Sequence, residues 1–209
     1  MASLYNIKIE NLKGVGKKRG ELFNKLGVYS IGQLLNFYPR TYEDWSSVKD
    51  ISDVENGEIT CIKGQVCSAI NSGYTRSGKI ITKLQVSDET GVIELVYFNN
   101  RYISSMLKYG ETYCFYGKIS KNLYGIQMTA PAFAKDGDSA IKPIYNLTAG
   151  LTNRMVINSV KQALEMLPET VNDPIPDNIR DKFNLVNLKF ALNNIHFPEN
   201  NGLQIPCLP

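Results

Sequence analysis

Residues 84–102, LQVSDETGVIELVYFNNRY, constrain the fold more than any other part of the chain. Leu84 and Val86 alternate with Lys83, Gln85 and Ser87, while Ile93, Leu95 and Tyr97 alternate with Glu94 and Val96. Each run therefore has the two-residue period of a strand with one buried face. Between them, Asp88-Glu89-Thr90-Gly91 offers a carboxylate to close an Asx-type turn and a glycine for a position of positive φ. The spacing predicts a hairpin. Beyond it, Phe98 and Tyr102 flank Asn99, Asn100 and Arg101, so two rings and a cation stand where a sheet rim passes into a helix. That arrangement suits stacking on nucleobases.

A lone hairpin is marginal in water, so the flanking residues must supply its partners. The spacing predicts a long strand over 59–70 interrupted by Gly64, then the hairpin, then a short helix with Ile103, Met106 and Leu107 on one face. A strand over 112–120 and a last one around 126–128 follow. Five strands with a helix between the third and fourth is the order of an OB-fold. Gly64 is expected at a bulge that bends the first strand around a small barrel, which would also account for the shift in apolar phase near Cys61 and Ile62. Residues 58–133 carry eight basic against five acidic side chains, so the barrel is mildly positive.

Ahead of this section, a helix from about Lys17 is expected to bury Leu22, Phe23 and Leu26 and to stop at Gly27. A second, capped by Ser30, carries Ile31, Leu34 and Leu35 before Pro39. The Gly14-Val15-Gly16 turn resembles the hairpin of helix-hairpin-helix DNA binders, in which small residues let backbone N–H groups approach a phosphate. With Lys17, Lys18 and Arg19, residues 13–25 hold five Lys or Arg against one Glu. The alternative is a helical packing corner with a solvated basic face. After the barrel, residues 134–150 read as a loop. Thr152 caps a helix burying Val156, Val160, Ala163, Leu164 and Leu167 up to Pro168, a turn follows at Pro174 and Pro176, and a last helix over 187–195 is expected to lack its partner.

The chain is thus expected to be an α+β protein: a five-stranded OB-fold β-barrel over 51–140, preceded by a helix-hairpin-helix-like segment over 1–50 and followed by helical linker segments over 141–209. At 209 residues, 43% apolar and 21% charged, it has the composition of a folded protein, and a net charge of +3 permits a polyanion partner without requiring one. There is neither a membrane-length apolar run nor a signal-peptide core, so a cytoplasmic protein without a membrane partner is expected. Cys61, Cys67, Cys114 and Cys207 lack CxxC spacing and read as reduced, packed thiols rather than a metal or disulfide site. Gly73 to Lys79 satisfies GxxxxGK, but Ile80 and Ile81 follow where a magnesium-binding hydroxyl and a helix are needed, so it is read as a hairpin tip presenting Arg76 and Lys79. His196, the sole histidine, has no nucleophile or ligand cluster beside it and reads as structural. No constellation supports catalysis, and no cofactor is expected.

Four blocks in order, LKGVGKKRGELFNKLGVYSIGQLLNFYPRTYED, SDETGVIELVYFNNRYI, IKPIYNLTAGLTNRMV and ALNNIHFPE, resemble the N-terminal landmarks of RecG, the ATP-dependent branched-DNA helicase of bacteria. The resemblance covers roughly residues 12–199. It implies an OB-fold wedge that splits strands at forks and Holliday junctions, in recombination and repair, while motor domains pull on the duplex. It also implies that Phe98 and Tyr102 are the aromatic pair stacking on unpaired bases, and that single-strand-binding protein is a partner. The family's phosphate-binding loop, magnesium motif and arginine fingers have no counterpart here, so ATP and magnesium belong to the full-length family and this chain is expected to bind without unwinding. Separately, it is expected to be a monomer. Residues 200–209 do not match the family's continuation and are expected to be a non-native ending. Two other readings stay open: an OB-fold protein-interaction module, and a stand-alone single-stranded DNA binder.

Overall fold

The computed structural model describes residues 2–135, 141–169, 171 and 173–198. Among them the elements in chain order are α1 (Ala2–Tyr5), a 3-10 turn (Ile9–Asn11), α2 (Gly16–Asn24), α3 (Ile31–Leu35), β1 (Thr41–Asp44), β2 (Val48–Lys49), β3 (Ile59–Val66), β4 (Asn71–Tyr74), β5 (Ile80–Ser87) and β6 (Val92–Phe98). There follow α4 (Ile103–Met106), β7 (Thr112–Asn122), β8 (Gly125–Thr129), β9 (Ala132–Lys135), β10 (Ile141–Ile144), α5 (Asn153–Glu165), α6 (Asp177–Lys182) and α7 (Leu188–His196). They form two compact units, one from residues 1–43 with 141–209, the other from 44–140. The expected ending at 200–209, with Cys207, lies outside the described residues.

In the second unit the pairing runs β3-β5-β6-β8-β7, and β7 pairs again with β3, so it comes full circle in an OB-like arrangement with α4 between its third and fourth strands. The β5–β6 register sets Leu84 opposite Leu95 and Val86 opposite Ile93. These four pack with Ile62, Val66, Phe115, Ile119 and Met128 in the core, each such side chain stabilising by about 1.5–3 kcal/mol on full burial. The expected Asx turn is present: Asp88 Oδ1 accepts from the backbone N–H of Thr90 at 2.7 Å and of Gly91 at 2.8 Å. Gly91 does not take the positive φ expected of it. It makes room instead, since a Cβ there would lie 3.1 Å from Ile51 Cγ2.

Gly64 likewise differs from the sequence reading. The β3–β7 register passes through it without a skipped residue, from Ile59 opposite Lys118 to Gln65 opposite Thr112, so no bulge sits there. β3 then meets β5 at Gln65 and Val66. A Cβ on Gly64 would stand 2.5 Å from Val86 Cγ1 and 2.9 Å from Ser87 O, so the strand can pass between β7 and β5 only where no side chain intrudes. The phase shift at Cys61 and Ile62 comes from burial on both faces. Ile62 belongs to the barrel core, while Cys61 lies outside it with Cys114 beneath Trp45, which stacks on Tyr116 at 5.5 Å. Trp45 and β2 accordingly pack with the barrel, and β3 ends at Val66, short of the predicted 70.

In the first unit, residues before and after the barrel share one core: Phe23, Ile31, Leu34 and Leu35 pack with Val156, Val160, Ala163 and Leu192. Phe23 is fully buried, and Leu22 and Leu26 pack partly against that cluster. Ser30 and Gln33 form a capping box on α3, Thr152 caps α5 and Asn187 caps α7. The last helix does have a partner, since Leu192 and His196 are buried. Several elements, β10 and α6 among them, escape the sequence pattern. β10 forms within the predicted loop because β1 pairs with it, and α6 buries no residue and so leaves no apolar period to read.

Candidate nucleic-acid interface

β6 ends with Tyr97 directed into the barrel and Phe98 on the other face, 46% exposed. Asn99 then takes a left-handed φ of 53°, a conformation asparagine tolerates better than most residues, and its N–H donates to Ile80 O at 2.9 Å to finish the ladder. Asn100 Oδ1 accepts from Tyr102 N at 3.0 Å in the turn just ahead of α4. Within α4, Ile103 and the following Leu107 reach the barrel core, which turns Tyr102 outward at 74% exposed. Met106, predicted to share the buried stripe, is 54% exposed because α4 is a single turn and Ile103 and Leu107 already occupy its inner side. The chain thus fixes the backbone of both rings while leaving their surfaces open to solvent.

The hairpin joining β4 and β5 lies at the same end of the sheet. Thr75 and Lys79 close its tip, with Thr75 N donating to Lys79 O at 2.8 Å and Lys79 N to Thr75 Oγ1 at 3.0 Å, and Gly78 supplies a φ of +74°. Arg76 and Lys79 are exposed on it, and Ile81, just beyond, stands opposite Phe98. Phe98, Arg101, Tyr102, Arg76 and Lys79 therefore share one end of this unit. Tyr74, exposed on β4 beside them, was not singled out by the sequence reading, although its place ahead of the Gly78-Lys79 tip was the available signal.

The remaining sequence candidates belong to the other unit. Gly14 and Gly16 both take positive φ, 82° and 53°, as a tight turn ahead of a helix requires. Lys17 and Lys18 are exposed at the start of α2, and the Arg19 guanidinium donates to Gly14 O. His196 is fully buried: its Nε2–H donates to Leu35 O at 3.0 Å and its Nδ1 accepts from the Tyr145 hydroxyl at 2.8 Å. Burial pushes its pKa below the usual histidine value and keeps the ring neutral. Among the described residues, no helix is long and apolar enough to cross a membrane.

A family model described as the RecG wedge domain matches residues 7–167. The chain belongs to the RecG wedge domain family. The ATP-dependent DNA helicase RecG of Bacillus subtilis is 29% identical over 197 residues, 91% of this chain and 28% of that protein. RecG of Thermotoga maritima is also 29% identical, over 198 residues, 91% of this chain and 25% of that protein. The solved structure of RecG bound to a three-way DNA junction superposes with a TM-score of 0.79 at 26% identity, over 92% of this chain and 27% of that one. The chain thus spans roughly a quarter of the length of the RecG proteins it matches.

Proposed function

We propose that this chain is a branched-DNA-binding wedge of a RecG-type helicase, with Phe98 and Tyr102 as its base platform. The observation that carries the reading is the exposure of both rings, 46% and 74%, on a backbone held by Asn99 and Asn100. Neither ring adds to the core, whereas stacking on an unpaired base stabilises a complex by ~1–3 kcal/mol per base. Arg101, Arg76 and Lys79 at the same end supply phosphate contacts, which position a strand without reading sequence. The Gly14 and Gly16 turn, with Lys17, Lys18 and Arg19, supplies a second phosphate contact from the other unit. In a full-length relative, the strand splitting would serve ATP-driven reversal of forks and migration of Holliday junctions. The residues of this chain offer no phosphate-binding loop, so by itself it binds DNA without hydrolysing ATP, in the cytoplasm.

The test is binding of this chain to a labelled fork and to matched single-stranded and duplex DNA, beside a Phe98→Ala/Tyr102→Ala variant. Preference for the fork that disappears in a folded variant supports the reading. Equal binding to all three DNAs, or a variant as tight as the parent, overturns it and favours a protein-interaction module.

A further inference from the structure

Tyr74 is 75% exposed at the last position of β4. It stands opposite Ile80 in the β4–β5 ladder, while Phe98 stands opposite Ile81 in the β5–β6 ladder. Partners in an antiparallel pair project from the same face, and successive residues along a strand from opposite faces. Tyr74 and Phe98 therefore leave opposite faces of the sheet. A side-chain bond fixes the parity: Ser72 Oγ lies 2.9 Å from Thr82 Oγ1, so Ser72 and Tyr74 share the side of Thr82. Thr82 in turn is paired with Tyr97, which points inward, away from the side taken by Phe98. β4 and β6 flank β5, which puts the two backbones about 10 Å apart, with the thickness of the sheet between the rings. Past Tyr74 the chain runs into the closed hairpin tip with Arg76 and Lys79.

The geometry points to Tyr74 as a second platform for an unpaired nucleobase, on the strand opposite the one held by Phe98. The β4–β5 hairpin is then the blade between the parted strands: one strand meets Phe98, the other meets Tyr74, and Arg76 and Lys79 hold phosphates at the edge. This inference rests on the wedge reading above. A ring so exposed contributes little to the fold, so its removal leaves the barrel intact, while loss of one base stack weakens binding about 5- to 150-fold.

The test uses forks with 2-aminopurine at the first unpaired position of one arm or of the other, bound by the parent, by Tyr74→Ala, by Tyr74→Phe and by Phe98→Ala. Stacking quenches the probe. Tyr74→Ala is expected to relieve quenching on one arm alone, Phe98→Ala on the other arm alone, and Tyr74→Phe to behave as the parent, all with the parent's thermal midpoint. Tyr74 is no platform if Tyr74→Ala leaves both arms quenched while Phe98→Ala relieves one, a result that keeps the wedge reading. The opposite-face assignment fails if both variants relieve the same arm. If neither variant changes either arm, the wedge reading fails as well.

Discussion

The Asp88 carboxylate accepts the backbone N–H of Ile51 at 2.7 Å across 37 residues of chain, while its other oxygen holds the β5–β6 turn through Thr90 and Gly91. One side chain thereby ties the entry into the barrel to its central hairpin. Burial works against its charge, but the bonds from Ile51, Thr90 and Gly91 outweigh that cost and hold its pKa below the usual aspartate value. The unfolded chain takes up the proton more readily, so this stabilisation is complete above about pH 4 and fades as the pH falls further. Asp88→Ala is expected to cost about 2–3 kcal/mol at neutral pH. Thermal midpoints of parent and variant should converge on acidification; a gap that stays constant would show that the charge of Asp88 is irrelevant.

His196 sets a second, separate pH window. Its folded pKa is depressed, chiefly by burial, against an opposing bond to Leu35 O. The unfolded state therefore binds the extra proton first, and the unit containing His196 loses stability as the pH drops below about 6.5. His196→Phe should abolish that dependence while costing about 2 kcal/mol for the orphaned Tyr145 hydroxyl and Leu35 carbonyl. Denaturant midpoints at neutral and mildly acidic pH measure both effects.

Gly64→Ala is expected to destabilise the barrel by about 1–3 kcal/mol, because the added methyl meets the Ser87 carbonyl at 2.9 Å as well as the Val86 side chain. Backbone cannot swing aside as a side chain can. A urea midpoint equal to that of the parent would mean that β3 and β5 separate more easily than their pairing implies.

Tyr97→Phe should leave stability unchanged or raise it by about 1 kcal/mol. The Tyr97 hydroxyl is buried without a hydrogen-bond partner among the described residues, and burial drives its pKa well above the usual tyrosine value. A variant that unfolds at lower temperature than the parent would show that the hydroxyl does make a stabilising bond.

Arg76→Ala/Lys79→Ala should weaken fork binding and flatten its salt dependence, lowering the slope of log K against log salt by about 1–2 units. The loss should be similar for forks of different sequence. An unchanged slope would place the phosphates elsewhere than at this hairpin tip.

Alternation and turn chemistry were enough to reveal the β5–β6 hairpin, the strand order, the helix caps at Ser30 and Thr152, and the exposed pair at Phe98 and Tyr102. Signals of this kind lie within a few residues of one another. Features that depend on what lies across a fold were not legible. Gly64 and Gly91 look like turn or bulge glycines until Val86, Ser87 and Ile51 are seen against them. Met106 fits the apolar stripe until Ile103 and Leu107 are seen to fill the inner side of a one-turn helix.

By itself, then, the sequence determined the elements that carry a clear period or cap, the order of the barrel strands along the chain and the candidate aromatic pair, because periodicity and turn residues act through neighbouring atoms. Only the tertiary structure decided that Trp45 covers Cys61 on the outside of the barrel, that α7 finds its partner in a core shared by both ends of the chain, and that Tyr74 leaves the sheet on the face opposite Phe98. Each of those depends on register or on burial between residues far apart in sequence, and neither is written in the pattern of any one segment.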